Sequence, residues 1–288
     1  MMRLENPKAD FATTLDTCIV GITGNNAFLQ KMKDGKVALL QAGTDYVDHG
    51  GKGTLSSIQP ISTYLSKDPI VVGALAKSEL VNLYEYYFRN EEKASRTLYD
   101  RLLSSADDDC PFCGGIGRPK NLDHFLPKAH FPQYSVFPQN LVPSCRDCNM
   151  DGKATAFATR PEDQLIQPYV DNDHFFNEQW IYAECVLNAA NMPKAVRYFV
   201  KPPEGWDGIS KLRVQKHFDD FGLGSRYAIQ TAKLLKTSVD QIVNSRNLGL
   251  ENESIRKALL EPGVNNAPFI NHWMRGMYQA LSDYLERL

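Results

Sequence analysis

The sequence predicts an α+β, mostly helical protein built around a small central zinc finger. Three observations lead there. Apolar residues recur at helical spacing on both sides of the chain's middle. Two C-x-x-C pairs, Cys110/Cys113 and Cys145/Cys148, stand in that middle, and short strand patterns lie between and after them. The chain has 288 residues, 43% of them apolar and 23% charged, a soluble globular balance that sets disorder aside. That length buries a core without covalent staples. No apolar run approaches the roughly 20 residues of a membrane span, and the first residues carry no apolar signal segment, so the expected location is the cytoplasm and no membrane partner is expected.

The elements follow in order. Over 1–104 a mostly helical region is expected. Within its first 55 residues Asn25-Asn26, Asp34-Gly35 and Gly50-Gly51-Lys52-Gly53 read as turns or loops. The glycine run lacks the G-K-[ST] of a phosphate loop and is expected to be flexible. Over 77–89, Leu80, Leu83, Tyr84, Tyr87 and Phe88 form a helical stripe, read as core. A second helix is expected over 95–103. The central region, 105–160, holds the cysteine pairs, a strand pattern at 122–126, a connector marked by Pro127, Pro132 and Pro138, a second strand near 140–143 and a helix start near Cys148-Asn149. The region 161–288 is expected to be mainly helical after a short sheet at 180–183 and 196–200. Its helical spacing over 212–244 breaks at Gly222 and Gly224, and a last helix runs over 269–288. There Trp273, Met277, Leu281 and Tyr284 read as core or as a subunit interface.

The cysteines carry the first chemical signal. In a reducing compartment, two residues between cysteines point to metal before disulfide. Two such pairs supply the four thiolates of a tetrahedral structural zinc, with Zn–S near about 2.3 Å. A redox pair or plain buried thiols are the competing readings. Cys18 and Cys185 stand alone and read as core. The gap from Cys113 to Cys145 exceeds the roughly 15–20 residues of a plain zinc ribbon. It holds Asp123-His124 and Asn140, with Asn149 just after the second pair. A histidine beside a carboxylate, with an amide on a nearby helix, can supply a base and two hard oxygen ligands, which suit Mg2+ or Mn2+ better than zinc. The bland alternatives are a buried hydrogen-bonded His124, a turn role for Asn140 and a helix cap at Asn149.

Read together, Cys110-Pro-Phe-Cys113, Leu122-Asp123-His124-Phe125-Leu126-Pro127-Lys128, Pro138-Gln139-Asn140-Leu141-Val142-Pro143 and Cys145-Arg-Asp-Cys148-Asn149 resemble an HNH endonuclease, over about 45 of the 288 residues. The resemblance implies a ββα-metal finger, two short strands and a helix. It implies that His124 is the general base, that Asp123 binds the catalytic Mg2+ or Mn2+, that Asn140 fixes the loop carrying the base, and that Asn149, in place of the family's last histidine, offers an amide oxygen to the same ion. Lys128, Arg146 and Lys153 are expected near substrate phosphate, although Lys128 reads equally well as solvated. The flanks, Ser95-Arg96-Thr97-Leu98-Tyr99-Asp100 and His272-Trp273 through Tyr278-Gln279-Ala280-Leu281, are similar to bacterial phage-defence HNH proteins of the Septu type, which act beside an ATPase. That implies a DNA-cutting effector of phage defence with an ATPase partner subunit. The helical flanks, far larger than a finger needs, are expected to supply DNA grip, homo-oligomer contacts or an ATPase-docking face. RNA cleavage, or a catalytically inactive zinc-held module binding nucleic acid or a partner, are the alternatives. The net charge of −2 excludes bulk polycation behaviour, so nucleic acid must be gripped by a local site or with a partner's help.

Overall fold

A computed structural model describes residues 1–153 and 155–288. About half of the described residues are helical, and the described strands pair in three antiparallel hairpins, so the fold is α+β with small sheets. Contacts group the chain into two compact units, one formed by Arg3–Phe112 and Gly117–Asn172, the other by Met1–Met2, Cys113–Ile116 and Asp173–Leu288. Among the described residues no helix is long and apolar enough to cross a membrane.

The first unit begins with two helices. Helix α1 (Phe11–Val20) starts where Asp10 accepts a hydrogen bond from the Thr13 N–H at 2.7 Å, and it buries Phe11, Leu15, Cys18 and Ile19. Helix α2 (Asn26–Gly51) is capped in the same way by Asn25, which accepts from the Phe28 N–H at 3.1 Å. This helix overturns the loop expectation at Asp34-Gly35 and Gly50-Gly51. The physical reason is close packing, since Gly35, Gly43 and Gly50 lie on its buried face. A Cβ there would stand 2.8 Å from the Leu75 side chain, 2.8 Å from Phe11 and 2.2 Å from Val170 respectively. Glycine here admits neighbours rather than breaking the helix.

A two-strand hairpin follows, β1 (Ile70–Val72) with β2 (Leu75–Ala76), and then helix α3 (Lys77–Asn82). Beyond Asn82 the helix widens over Leu83–Phe88. Its end is marked by the Arg89 N–H, which reaches five residues back to the Tyr84 carbonyl at 2.9 Å. The buried stripe is the expected one, with Leu80, Leu83, Tyr84, Tyr87 and Phe88 all inside. Helix α4 (Arg96–Ser104) buries Leu98, Tyr99 and Leu102. The central hairpin pairs β3 (Asn121–His124) with β4 (Leu141–Ser144), Asp123 opposite Val142 and His124 opposite Leu141. A wide helical turn, Asp147–Lys153, follows β4.

The second unit contains α5 (His174–Asn177) and the hairpin β5 (Ile181–Leu187) with β6 (Pro193–Val200). After it come α6 (Gly208–Asp220), α7 (Leu223–Asn247), α8 (Asn252–Ile255), a wide turn over Arg256–Leu260, α9 (Glu261–Asn265) and α10 (Trp273–Leu285). The chain turns between α6 and α7 at Gly222, whose φ of 57° is left-handed, while Gly224 stays helical inside α7. Helices α7 and α10 pack on the β5–β6 hairpin. Trp273, Met277, Leu281 and Tyr284 are buried, as expected of a core stripe. Asn271 knits this core together. Its Oδ1 accepts from the Trp180 N–H at 2.8 Å and the Ile181 N–H at 3.1 Å, and its amide donates to the Glu178 carbonyl at 2.9 Å.

Candidate functional site

Two arrangements of side chains stand out, and the first is the cysteine cluster. Cys110, Cys113, Cys145 and Cys148 are all buried, none is in a disulfide, and their sulfurs lie within 4.8 Å of one another. A tetrahedral zinc with arms of about 2.3 Å separates its sulfurs by about 3.8 Å, so this set can hold such an ion with little adjustment. Local structure explains the fit. The Cys110 N–H donates to the Gly117 carbonyl at 2.9 Å, closing a turn, and the Cys145 N–H points at Cys110 Sγ at 3.4 Å. Gly114 and Gly115 take φ of 62° and 85°, a left-handed pair that lets the chain reverse after the first cysteines. The Cys113 carbonyl accepts from the Tyr227 hydroxyl at 3.2 Å.

The second arrangement is the buried polar cluster at the end of β3. Strand alternation sends Asp123 and His124 to opposite faces, yet both are only 6% exposed. His124 Nε2 lies 2.8 Å from the Ser135 carbonyl, which can only accept, so Nε2 carries the proton and Nδ1 keeps a lone pair. The Ser135 hydroxyl in turn donates to the Leu80 carbonyl at 2.6 Å. The Tyr84 ring meets the imidazole edge to face, centroids 4.4 Å apart at 70°. Burial pushes the His124 pKa down to about 3, and the positive charges of Lys128 and Lys153 push the same way, so the ring is neutral at ordinary pH.

Asn140 is fully buried and ties the loop on both sides of the connector. Its Oδ1 accepts from the Leu126 N–H at 2.7 Å, its amide donates to the Leu126 and Tyr134 carbonyls at 3.1 and 3.2 Å, and its own carbonyl accepts from the Phe125 N–H at 2.8 Å. Lys153 ends the wide turn after β4 and is 3% exposed. Its Nζ donates to the His124 carbonyl at 2.6 Å and stands 3.3 Å from Asp123 Oδ2. That carboxylate oxygen is buried and receives no hydrogen bond among the described residues. Burial raises the Asp123 pKa, and the nearby Lys153 charge works against the rise.

Of the residues singled out by sequence, Asp123, His124, Asn140 and Lys153 therefore form one connected cluster. Asn149 lies half-exposed on the same turn as Lys153, its backbone N–H donating to the Cys145 carbonyl at 3.0 Å. Arg146 is exposed. Lys128 is partly buried, 3.4 Å from Glu85 Oε1 and 5.3 Å from the centre of the Tyr84 ring. Sequence reading missed Tyr84 and Ser135. Tyr84 belonged to an apolar stripe that any helix core would show, and Ser135 contributes a backbone carbonyl, which leaves no trace in side-chain identity.

Over 249 residues the chain is 40% identical to Protein ea31 of Escherichia phage lambda, an alignment that spans 80% of this chain and 81% of the phage protein. The chain belongs to the ea31 family. No family model matches the sequence, and no solved structure matches it. The similarity spans four-fifths of both proteins, so the family relation concerns most of the chain.

Proposed function

We propose that this ea31-family chain is a metal-dependent endonuclease of HNH type that hydrolyses DNA phosphodiester bonds. The observation that carries the reading is the buried His124 imidazole, held in one tautomer by the Ser135 carbonyl, next in the chain to the buried Asp123, whose side chain leaves the strand on the other face. A neutral ring with a lone pair on Nδ1 can take a proton from attacking water. The Asn140 clamp keeps Phe125 and Leu126 in place and so limits how far the base can drift, and a small misplacement is costly in rate. Lys153 holds the His124 main chain from the other side. The buried Asp123 oxygen that lacks a hydrogen bond fits a hard cation, with the Asn149 amide as a second oxygen donor. Bound there, Mg2+ or Mn2+ would neutralise charge that grows on the phosphate oxygens. The four cysteines would hold zinc as a structural staple apart from the chemistry.

The test is His124→Ala. Purified protein is incubated with Mg2+ or Mn2+ and supercoiled plasmid, with single-stranded DNA and RNA in parallel. The parent is expected to nick DNA, and the variant to lose at least about a hundredfold in rate while keeping its zinc content. Equal cutting by the variant would remove His124 from the role of base, and cleavage confined to RNA would change the substrate class. A second reading is a zinc-held binding module without catalysis. It is favoured by the Lys153–Asp123 ion pair, which neutralises the carboxylate without a divalent ion. Parent protein that binds DNA yet leaves it intact with either ion would support that module.

A further inference from the structure

The widened end of the α3 helix, Leu83–Phe88, meets the proposed base from a region far away in sequence. The hydrogen bond from Nε2 to the Ser135 carbonyl does not by itself stop the imidazole from swinging about that bond. The Tyr84 ring stands against it at 4.4 Å and 70°, which blocks the swing. Tyr84 is itself braced, its hydroxyl donating to the Leu122 carbonyl at 3.4 Å on the strand that carries His124. Leu80, one turn earlier, accepts the Ser135 hydroxyl at 2.6 Å, so the same helix steadies the carbonyl to which the imidazole bonds. The adjacent Glu85 holds Lys128 at 3.4 Å, with the ammonium 5.3 Å from the Tyr84 ring centre. Wide helical turns of this kind are frequent at functional sites.

We propose that Tyr84 is a positioning residue for His124: its ring fixes the plane of the imidazole so that Nδ1 faces the attacking water. The proposal rests on the nuclease reading, and its test has one arm that does not. The full-length protein is labelled with 15N-histidine. It contains six histidines, so a His124→Gln sample assigns the signal. The parent is expected to show a His124 ring signal of the Nε2–H tautomer, displaced by the neighbouring aromatic ring. Tyr84→Phe keeps the ring and should keep that signal. Tyr84→Leu should lose the displacement and broaden the resonance. In cleavage assays Tyr84→Leu should lower kcat by about tenfold with KM changed less than about twofold, and Tyr84→Phe, which keeps the ring but loses its brace to Leu122, should retain most of the parent kcat. An unchanged His124 signal in Tyr84→Leu would overturn the proposal, as would a loss confined to KM. So would collapse of the signal in Tyr84→Phe, which would assign the effect to the hydroxyl. If the parent cuts nothing, the nuclease reading falls, and the resonance experiment still decides whether Tyr84 sets the ring.

Discussion

At the scale of single residues, the polar side chains at the end of β3 matter because they are buried. A buried amide that satisfies three backbone groups is hard to replace, since each group left without a partner costs free energy. Asn140→Ala is expected to lower the free energy of unfolding by about 1–3 kcal/mol, read from urea denaturation. If the proposed nuclease reading holds, it should also reduce cleavage while leaving zinc content unchanged, because the loop after His124 loses its clamp while the thiols stay in place. A loss of metal together with stability would instead mean that Asn140 supports the whole central region. Lys153 shows how far burial alters a residue's meaning. By sequence it reads as one more cation near substrate phosphate, and in the fold its ammonium is turned inward to the His124 carbonyl and Asp123.

At the scale of elements, α2 gives a direct contrast between two adjacent glycines. A Cβ at Gly50 would stand 2.2 Å from Val170 Cγ2, whereas at Gly51 the nearest group is the Val170 carbonyl at 4.0 Å. Gly50→Ala should cost about 1–3 kcal/mol by overpacking. Gly51→Ala should be neutral or stabilise by up to about 1 kcal/mol by restricting the unfolded chain. Melting curves of the two variants check this, and equal effects would mean that the helix does not press on Val170. The α10 helix makes a pH-dependent prediction. Its cap is His272, whose Nδ1 accepts the Met274 N–H at 3.3 Å, a bond that only the neutral ring can make. Burial lowers its pKa from 6.5 to about 4, helped by the charge of the chain's N-terminus. The folded state therefore prefers the neutral ring. The cap's contribution is complete above about pH 6.5 and is lost as the pH falls toward 4. Urea unfolding across that window should show falling stability, with a shallower slope in His272→Asn, which caps without titrating in that range.

At the scale of the molecule, the cysteine pairs come from sites 35 residues apart in the chain, and the Cys145 N–H already reaches Cys110 Sγ at 3.4 Å. A metal held there would tie the segment before β3 to the turn after β4. The protein as purified is expected to carry one zinc per chain, measured by elemental analysis. Stripping it with a strong chelator, or replacing Cys148 by Ser, should lower the melting temperature and weaken cooperativity. A chain that melts unchanged without metal would show that the thiols are packing groups only.

Much of this architecture was legible in the order of residues. The cysteine spacing pointed to a metal site, and the four thiols do gather where they could hold an ion. The stripes at 77–89 and near the C-terminus pointed to buried helical faces, because periodicity follows from helix geometry alone. The strand patterns at 122–126 and 140–143 found their hairpin to within a residue or two, since strand ends depend on pairing as well as propensity. Glycine misled at α2, because the same residue serves a turn and a tight helix contact, and only the partner across the interface distinguishes the two. The surroundings of His124 were equally out of reach: the Tyr84 ring, the Ser135 carbonyl and the Lys153 ammonium converge from three separate stretches. The sequence by itself determined which groups are present and their local periodicity. Tertiary packing decided which of them are dehydrated and face one another, because burial and convergence depend on contacts between segments that local order does not encode.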